Sequence, residues 1–85
     1  MEVKMEFICP VCHYRGLYEE PYDIDGYGSD EICPCCGFQF GCDDFPDKLA
    51  GQLNWRDKWI EKGYPWFSKS RVAPRDWDGK KQLEE

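Results

Sequence analysis

The 85-residue sequence has no apolar stretch of transmembrane length, a single histidine, and a first half with almost no positive charge. The first absence excludes a membrane-spanning helix, which needs about 20 apolar residues in a row. The opening MEVKMEFICPVC also lacks the basic, apolar and small-residue layout of a secretory leader. The expectation is a soluble, cytoplasmic protein. Residues 1–47 carry 2 basic and 11 acidic groups, whereas residues 48–85 carry 9 basic and 6 acidic, for a net charge of −6. So acidic a chain opposes generic binding to nucleic acid or to an anionic membrane. The length is also short of what a hydrophobic core alone stabilises well, so a covalent or metal staple is expected.

The staple is visible in the cysteines. Five of the six fall in two clusters, ICPVCHY at 8–14 and EICPCCG at 31–37, and the sixth is Cys42. In a reducing compartment, paired C-x-x-C clusters are more often metal ligands than disulfides, which remain the alternative for a secreted chain. The strict pattern Cys9-x2-Cys12-x20-Cys33-x2-Cys36 has the spacing of a four-thiolate zinc site in which a hairpin brings two knuckles together. Pro10 and Pro34 fix φ inside the knuckles, and Gly37 suits the left-handed position that follows a tight turn. Bound as thiolates around a dication, the four ligands would make the chain more acidic by two charges.

The remaining candidates are weaker. His13 stands where the second knuckle has Gly37, next to a ligand, and is read as a donor behind the metal site or an alternative ligand. Cys35 lies between ligands and is an alternative ligand or a reactive thiol. Cys42 continues the alternation of Phe38 and Phe40 and is read as a small buried hydrophobe. Neither surplus cysteine has a base and an orienting partner beside it, which speaks against a nucleophilic cysteine enzyme. A closed set of four thiolates likewise speaks against hydrolytic zinc catalysis, which keeps a coordination position open for water. No catalytic residue is assigned.

Short apolar-aromatic segments flank each knuckle, EFI and HYRGLYE around the first and SDEI and GFQF around the second, each predicting a hairpin. Between them EPYDIDGYGSD reads as a surface loop. Asp43, Asp44 and Pro46 then announce a helix running to about Lys62, with Asp44 or Phe45 at its start, Pro46 in its first turn and Gly63 as the stop beyond its end. Leu49, Leu53, Trp59 and Ile60 would form the face that docks on the ribbon. Arg56 points into that face, either snorkelling to water or pairing with Asp43 or Asp44. The predicted architecture is a small metal-stapled α+β domain, a zinc-ribbon or rubredoxin-like pair of β-hairpins with a C-terminal helix packed on it. One domain would cover 1–85, with the ribbon at 1–45, the helix at 46–63 and an extended aromatic segment at 64–85.

EICPCCGFQFGCDD, with WRDKWIEKGYPWFSKS and PRDWDGKKQL, resembles a group of small uncharacterised bacterial proteins similar to the cysteine-rich CPCC domain proteins. The likeness runs from Phe7 to Leu83, with CPCCG its most specific part, and departs from the group at His13, where glycine is usual, and at Cys42, where a larger residue is usual. It implies a metal-binding ribbon with a helical appendage and carries no assigned activity. The two knuckles on an acidic chain are also similar to those of rubredoxins, which would imply iron and electron transfer. The gap between the pairs is short for that family, and thiolates alone do not choose between zinc and iron. The function expected first is that of a structural zinc protein serving protein–protein interaction. Its contact surface would come from Lys58, Lys62, Trp66, Phe67, Lys69, Arg71, Arg75 and Trp77. Those residues together with Lys80 and Lys81 would carry nucleic-acid binding, the remaining alternative.

Overall fold

The computed structural model describes residues 6–84; the leader-free start expected for the chain lies in part outside them. The chain doubles back three times before its first helix. Antiparallel bridges pair Phe7 with Leu17, Tyr22 with Gly28 and Ile32 with Gln39. Each is an isolated bridge, and no longer strand is present among the described residues. The 22–28 turn is fastened from within, because the Asp23 carboxylate accepts the N–H groups of Asp25 and Tyr27. This is the side-chain turn chemistry that favours Asp in such loops.

Helix α1 spans Lys48–Glu61 and begins later than the sequence suggests. Its cap is Asp47, whose carboxylate accepts the Ala50 N–H at 3.0 Å, so Pro46 precedes the helix and does not enter its first turn. Asp44 is occupied elsewhere. Its buried carboxylate accepts the Tyr22 hydroxyl at 2.6 Å and the Gly41 N–H at 2.9 Å. Burial pushes that carboxyl up, but these hydrogen bonds and the Lys48 charge outweigh it and hold its pKa below the ordinary value.

The helix face that docks also differs from the predicted stripe. Leu49 and Leu53 remain 64% and 45% exposed, while Trp59 is buried and Trp55 and Ile60 pack against the core. The helix is drawn in by hydrogen-bonding side chains. Lys48 donates to the Gly26 carbonyl and lies 4.1 Å above the Tyr22 ring, and Gln52 donates to the Tyr22 hydroxyl. Trp55 and Arg56 reach the cysteine knuckles one turn further on. Arg56 pairs with neither Asp43 nor Asp44; its guanidinium donates to backbone carbonyls of the first knuckle.

Two further expectations are corrected. Cys42 is exposed, because Gly41 at φ +94° turns the chain after Phe40 and breaks the alternation. The turn is closed by the N–H groups of Cys42 and Asp43 on the Gln39 carbonyl. The tail is not extended throughout, since Gly79–Glu84 forms a second helix, α2. Asp78 caps it by accepting the Lys81 N–H, Gly79 packs against Tyr64 and Trp77, and Leu83 reaches the core.

The core runs through the knuckles. Cys9, Val11, Cys12, Cys33, Cys35, Phe38 and Phe40 are fully buried. On one side Tyr22, Phe40, Phe38 and Trp55 form a file of ring contacts with centroids 5.6 to 5.8 Å apart. On the other, Tyr14, Trp66 and Trp77 form a second file at 5.3 to 5.5 Å. Edge-to-face pairs of this kind add to the area they bury.

Candidate metal centre

Each knuckle is built by the same two backbone hydrogen bonds. In the first, the Cys9 N–H donates to the Tyr14 carbonyl at 2.8 Å and the His13 N–H to the Cys9 carbonyl at 2.9 Å. In the second, the Cys33 N–H donates to Phe38 at 3.0 Å and the Gly37 N–H to Cys33 at 2.8 Å. His13 and Gly37 hold the matching left-handed positions, at φ 69° and 83°. The first sulfur of each pair is thereby turned back toward the second, and in the first knuckle the Val11 N–H points at Cys9 Sγ from 3.4 Å. Such amide contacts offset thiolate charge.

The two knuckles face one another. The sulfurs of Cys9, Cys12, Cys33 and Cys36 all lie within 4.8 Å of each other, and all four residues are buried. Cys9 Sγ is 3.9 Å from Cys36 Sγ, and Cys12 Sγ is 3.6 Å from Cys33 Sγ. These are non-bonded separations. Four sulfurs at about 2.3 Å from a central tetrahedral ion stand about 3.8 Å apart, so the donor set fits a thiolate-bound metal ion.

Electrostatics favours the same conclusion. Without an ion, Cys12 is pushed far up, first by its hydrogen bond to Cys33 and then by the other thiols and by burial. Cys33 is pushed far down, because it accepts from Cys12, Cys36 and Cys9. Four clustered thiols cannot all ionise beside one another without a counter-charge, whereas a dication would stabilise all four thiolates together. His13 lies outside the cluster, and so does Cys35 as a ligand. Cys35 is fully buried in the place that Val11 holds in the first knuckle. Its sulfur accepts the Gln82 side-chain amide at 3.3 Å.

The C-terminal half closes the knuckles from outside, through residues for which the cysteine spacing gives no signal. Tight turns leave carbonyls pointing outward, and each needs a donor. In the first knuckle Arg56 donates to the carbonyls of Pro10 and Val11 at 2.6 and 2.7 Å, and the Gln82 amide to that of Cys12 at 2.9 Å. In the second, the N–H groups of Ser68 and Phe67 serve Pro34 and Cys35 at 2.8 and 2.9 Å, and the Trp55 indole serves Cys36 at 2.9 Å. No buried side-chain nitrogen or oxygen lacks a partner among the described residues.

The residues expected to form a contact surface divide. Trp66 and Trp77 are engaged in the second ring file, and Arg71 stacks on Tyr18 at 4.4 Å and donates to Tyr14 and Gly16. Lys58, Lys62, Phe67, Lys69 and Arg75 are exposed. Of the eight, Lys58, Lys62, Trp66 and Phe67 border one cleft, and Lys69, Arg71, Arg75 and Trp77 are not among its lining residues.

Two curated relatives match part of the chain. The chain is 34% identical over 64 residues to the uncharacterised protein YoaQ of Bacillus subtilis (strain 168), covering 74% of this chain and 54% of that protein. It is 33% identical over 72 residues to the uncharacterised protein YozI of the same organism, covering 67% of this chain and 59% of that protein. The chain spans little more than half the length of these relatives. No family model and no solved structure matches it. No helix of the described residues is long and apolar enough to cross a membrane.

Proposed function

We propose that this is a small structural zinc protein of the ribbon type, related to the CPCC domain proteins, in which one tetrathiolate ion holds the fold and the work is protein–protein interaction in the cytoplasm. Four buried sulfurs at tetrahedral spacing carry the reading. Cys9, Cys12, Cys33 and Cys36 would hold the ion, which would supply folding energy by joining two hairpins that have few bridges of their own. Four protein ligands would leave no position for water or substrate, which supports a structural centre and speaks against hydrolytic catalysis at the metal. Acidity and the dispersed basic residues favour a protein partner over nucleic acid.

The test is metal analysis with a visible spectrum, on protein purified from cells given both iron and zinc, followed by removal of the metal under reducing conditions. One zinc per chain, no visible colour and loss of the cooperative thermal transition on removal are expected. One iron with strong thiolate charge-transfer bands would make electron transfer the leading reading instead, with the redox potential the next measurement. Cooperative folding of the metal-free, reduced chain would overturn the structural role.

A further inference from the structure

Beside the second knuckle, α1 and the segment after it enclose a cleft of about 430 Å³, walled by Trp55, Trp59, Pro65, Trp66 and Phe67. Cys36 lies at its base, and Lys58 and Lys62 stand at its edge. The volume is that of a small ligand site, enough for one large side chain and its neighbours. We propose that this cleft binds a short acidic segment of a partner protein, with an aromatic side chain between the indole walls and carboxylates on Lys58 and Lys62. The inference rests on the protein-interaction reading and names the partner's chemistry.

The walls decide the central residue. All three tryptophan N–H groups are already used inside the molecule, Trp55 on Cys36, Trp59 on Pro65 and Trp66 on Arg71. The indoles therefore offer a visitor ring faces and edges, with no free donor. An aromatic ring meets such surfaces favourably in edge-to-face or offset geometry. Phe67, 56% exposed, extends this surface at the rim.

The edge decides the flanking residues. No carboxylate lines the cleft, although the chain has 17 acidic residues. Lys58 lies in the last turn of α1 and Lys62 is its C-terminal cap, four residues on, so the two side chains leave the same side of the helix end. Neither is in an ion pair or hydrogen-bonded through its side chain among the described residues. Two cations beside an apolar cleft, on an otherwise acidic protein, match a ligand with a few carboxylates. They do not match a polyanion, which the remaining surface would repel.

The experiment uses metal-loaded, isotope-labelled protein and follows the indole N–H signals of Trp55, Trp59 and Trp66, with the backbone N–H of Tyr27, in the 22–28 turn outside the cleft lining, as the reference. The probes are acetyl-DEFED-amide, acetyl-DEAED-amide, acetyl-KKFKK-amide and an oligothymidylate. Saturable shifts of the three indoles are expected with DEFED, with binding about tenfold weaker for DEAED and for KKFKK. K58E/K62E should lower DEFED affinity about tenfold while leaving the Tyr27 signal in place; K58Q/K62Q serves if the reversed charges disturb folding. Absence of shifts at millimolar DEFED, equal binding of KKFKK, or a response to oligothymidylate alone would overturn the proposal. Metal content measured on the same sample separates the two levels. A folded, metal-loaded protein that ignores DEFED removes the cleft assignment only, whereas a folded, metal-free protein removes the structural-metal reading whatever the peptides do.

Discussion

The first knuckle, residues 9–14, and the second, residues 33–38, have the same internal hydrogen bonds and opposite surroundings. The first presents His13 at its left-handed position, packs Val11 inside and has its carbonyls closed by the long side chains of Arg56 and Gln82. The second presents Gly37, packs Cys35 inside and is closed largely by the main chain at Phe67 and Ser68. A thiolate knuckle thus requires a turn and donors for its outward carbonyls, and is indifferent to which residues supply them.

Among substitutions that leave the four clustered cysteines in place, the largest effect should come from changing the residues at the left-handed positions. At Gly37 an added Cβ would lie 2.5 Å from Phe67 Cδ1 and would hold an L side chain at φ +83°. Gly37→Ala should therefore destabilise by about 3 kcal/mol, from overpacking and backbone strain together. His13→Gly should act in the opposite direction. It relieves about 1 kcal/mol of backbone strain against a smaller unfolded-state cost, for a net gain of about 0.5 kcal/mol. Chemical denaturation of the metal-loaded variants measures both. Equal and small effects would mean that Phe67 does not hold its place over the second knuckle.

Next in size is the side-chain seal on the first knuckle. Arg56→Met keeps much of the apolar stem and removes two charge-assisted hydrogen bonds to carbonyls. The expected cost is about 2 kcal/mol, because water reaches those carbonyls only in part. The thermal midpoint should fall and metal loss to a competing chelator should quicken, with metal stoichiometry unchanged. No change in either quantity would show that the first knuckle holds its shape through its own turn.

These partners also mark where sequence reasoning stops. The four cysteines stand out because a short spacing in a short chain is a local signal, and the same four are the ones that converge. Arg56, Gln82 and the N–H groups of Phe67 and Ser68 act across 32 to 70 residues of chain, and carbonyl acceptors carry no residue identity to read. What could be read is that a turn motif present twice must find its outer donors twice. The helix face was misjudged for a related reason. A hydrophobic periodicity favours Leu49 and Leu53, whereas the docking uses Gln52, Trp55 and Arg56 as hydrogen-bond donors as well as apolar stems. Cys42 leaves the predicted buried face because a period-two pattern assumes an unbroken strand, and Gly41 breaks it.

The smallest effect tests the internal positions of the two knuckles, and it bears directly on the surplus thiol. Cys35 is adjacent to ligand Cys36, which by chain position alone makes it a rival for the metal. The correspondence with Val11 argues otherwise, since the place Cys35 fills is one that the first knuckle gives to a hydrocarbon of similar bulk, also fully buried. Cys35→Val should accordingly retain one metal per chain and change stability by less than about 1 kcal/mol, the loss being the weak contact from Gln82 to sulfur. Cys36→Ser, by contrast, removes a converging sulfur and should lose tight metal binding together with cooperative folding. If Cys35→Val lost its metal as Cys36→Ser does, the two knuckles would not be equivalent, and the second would bind through a different pair of its three thiols.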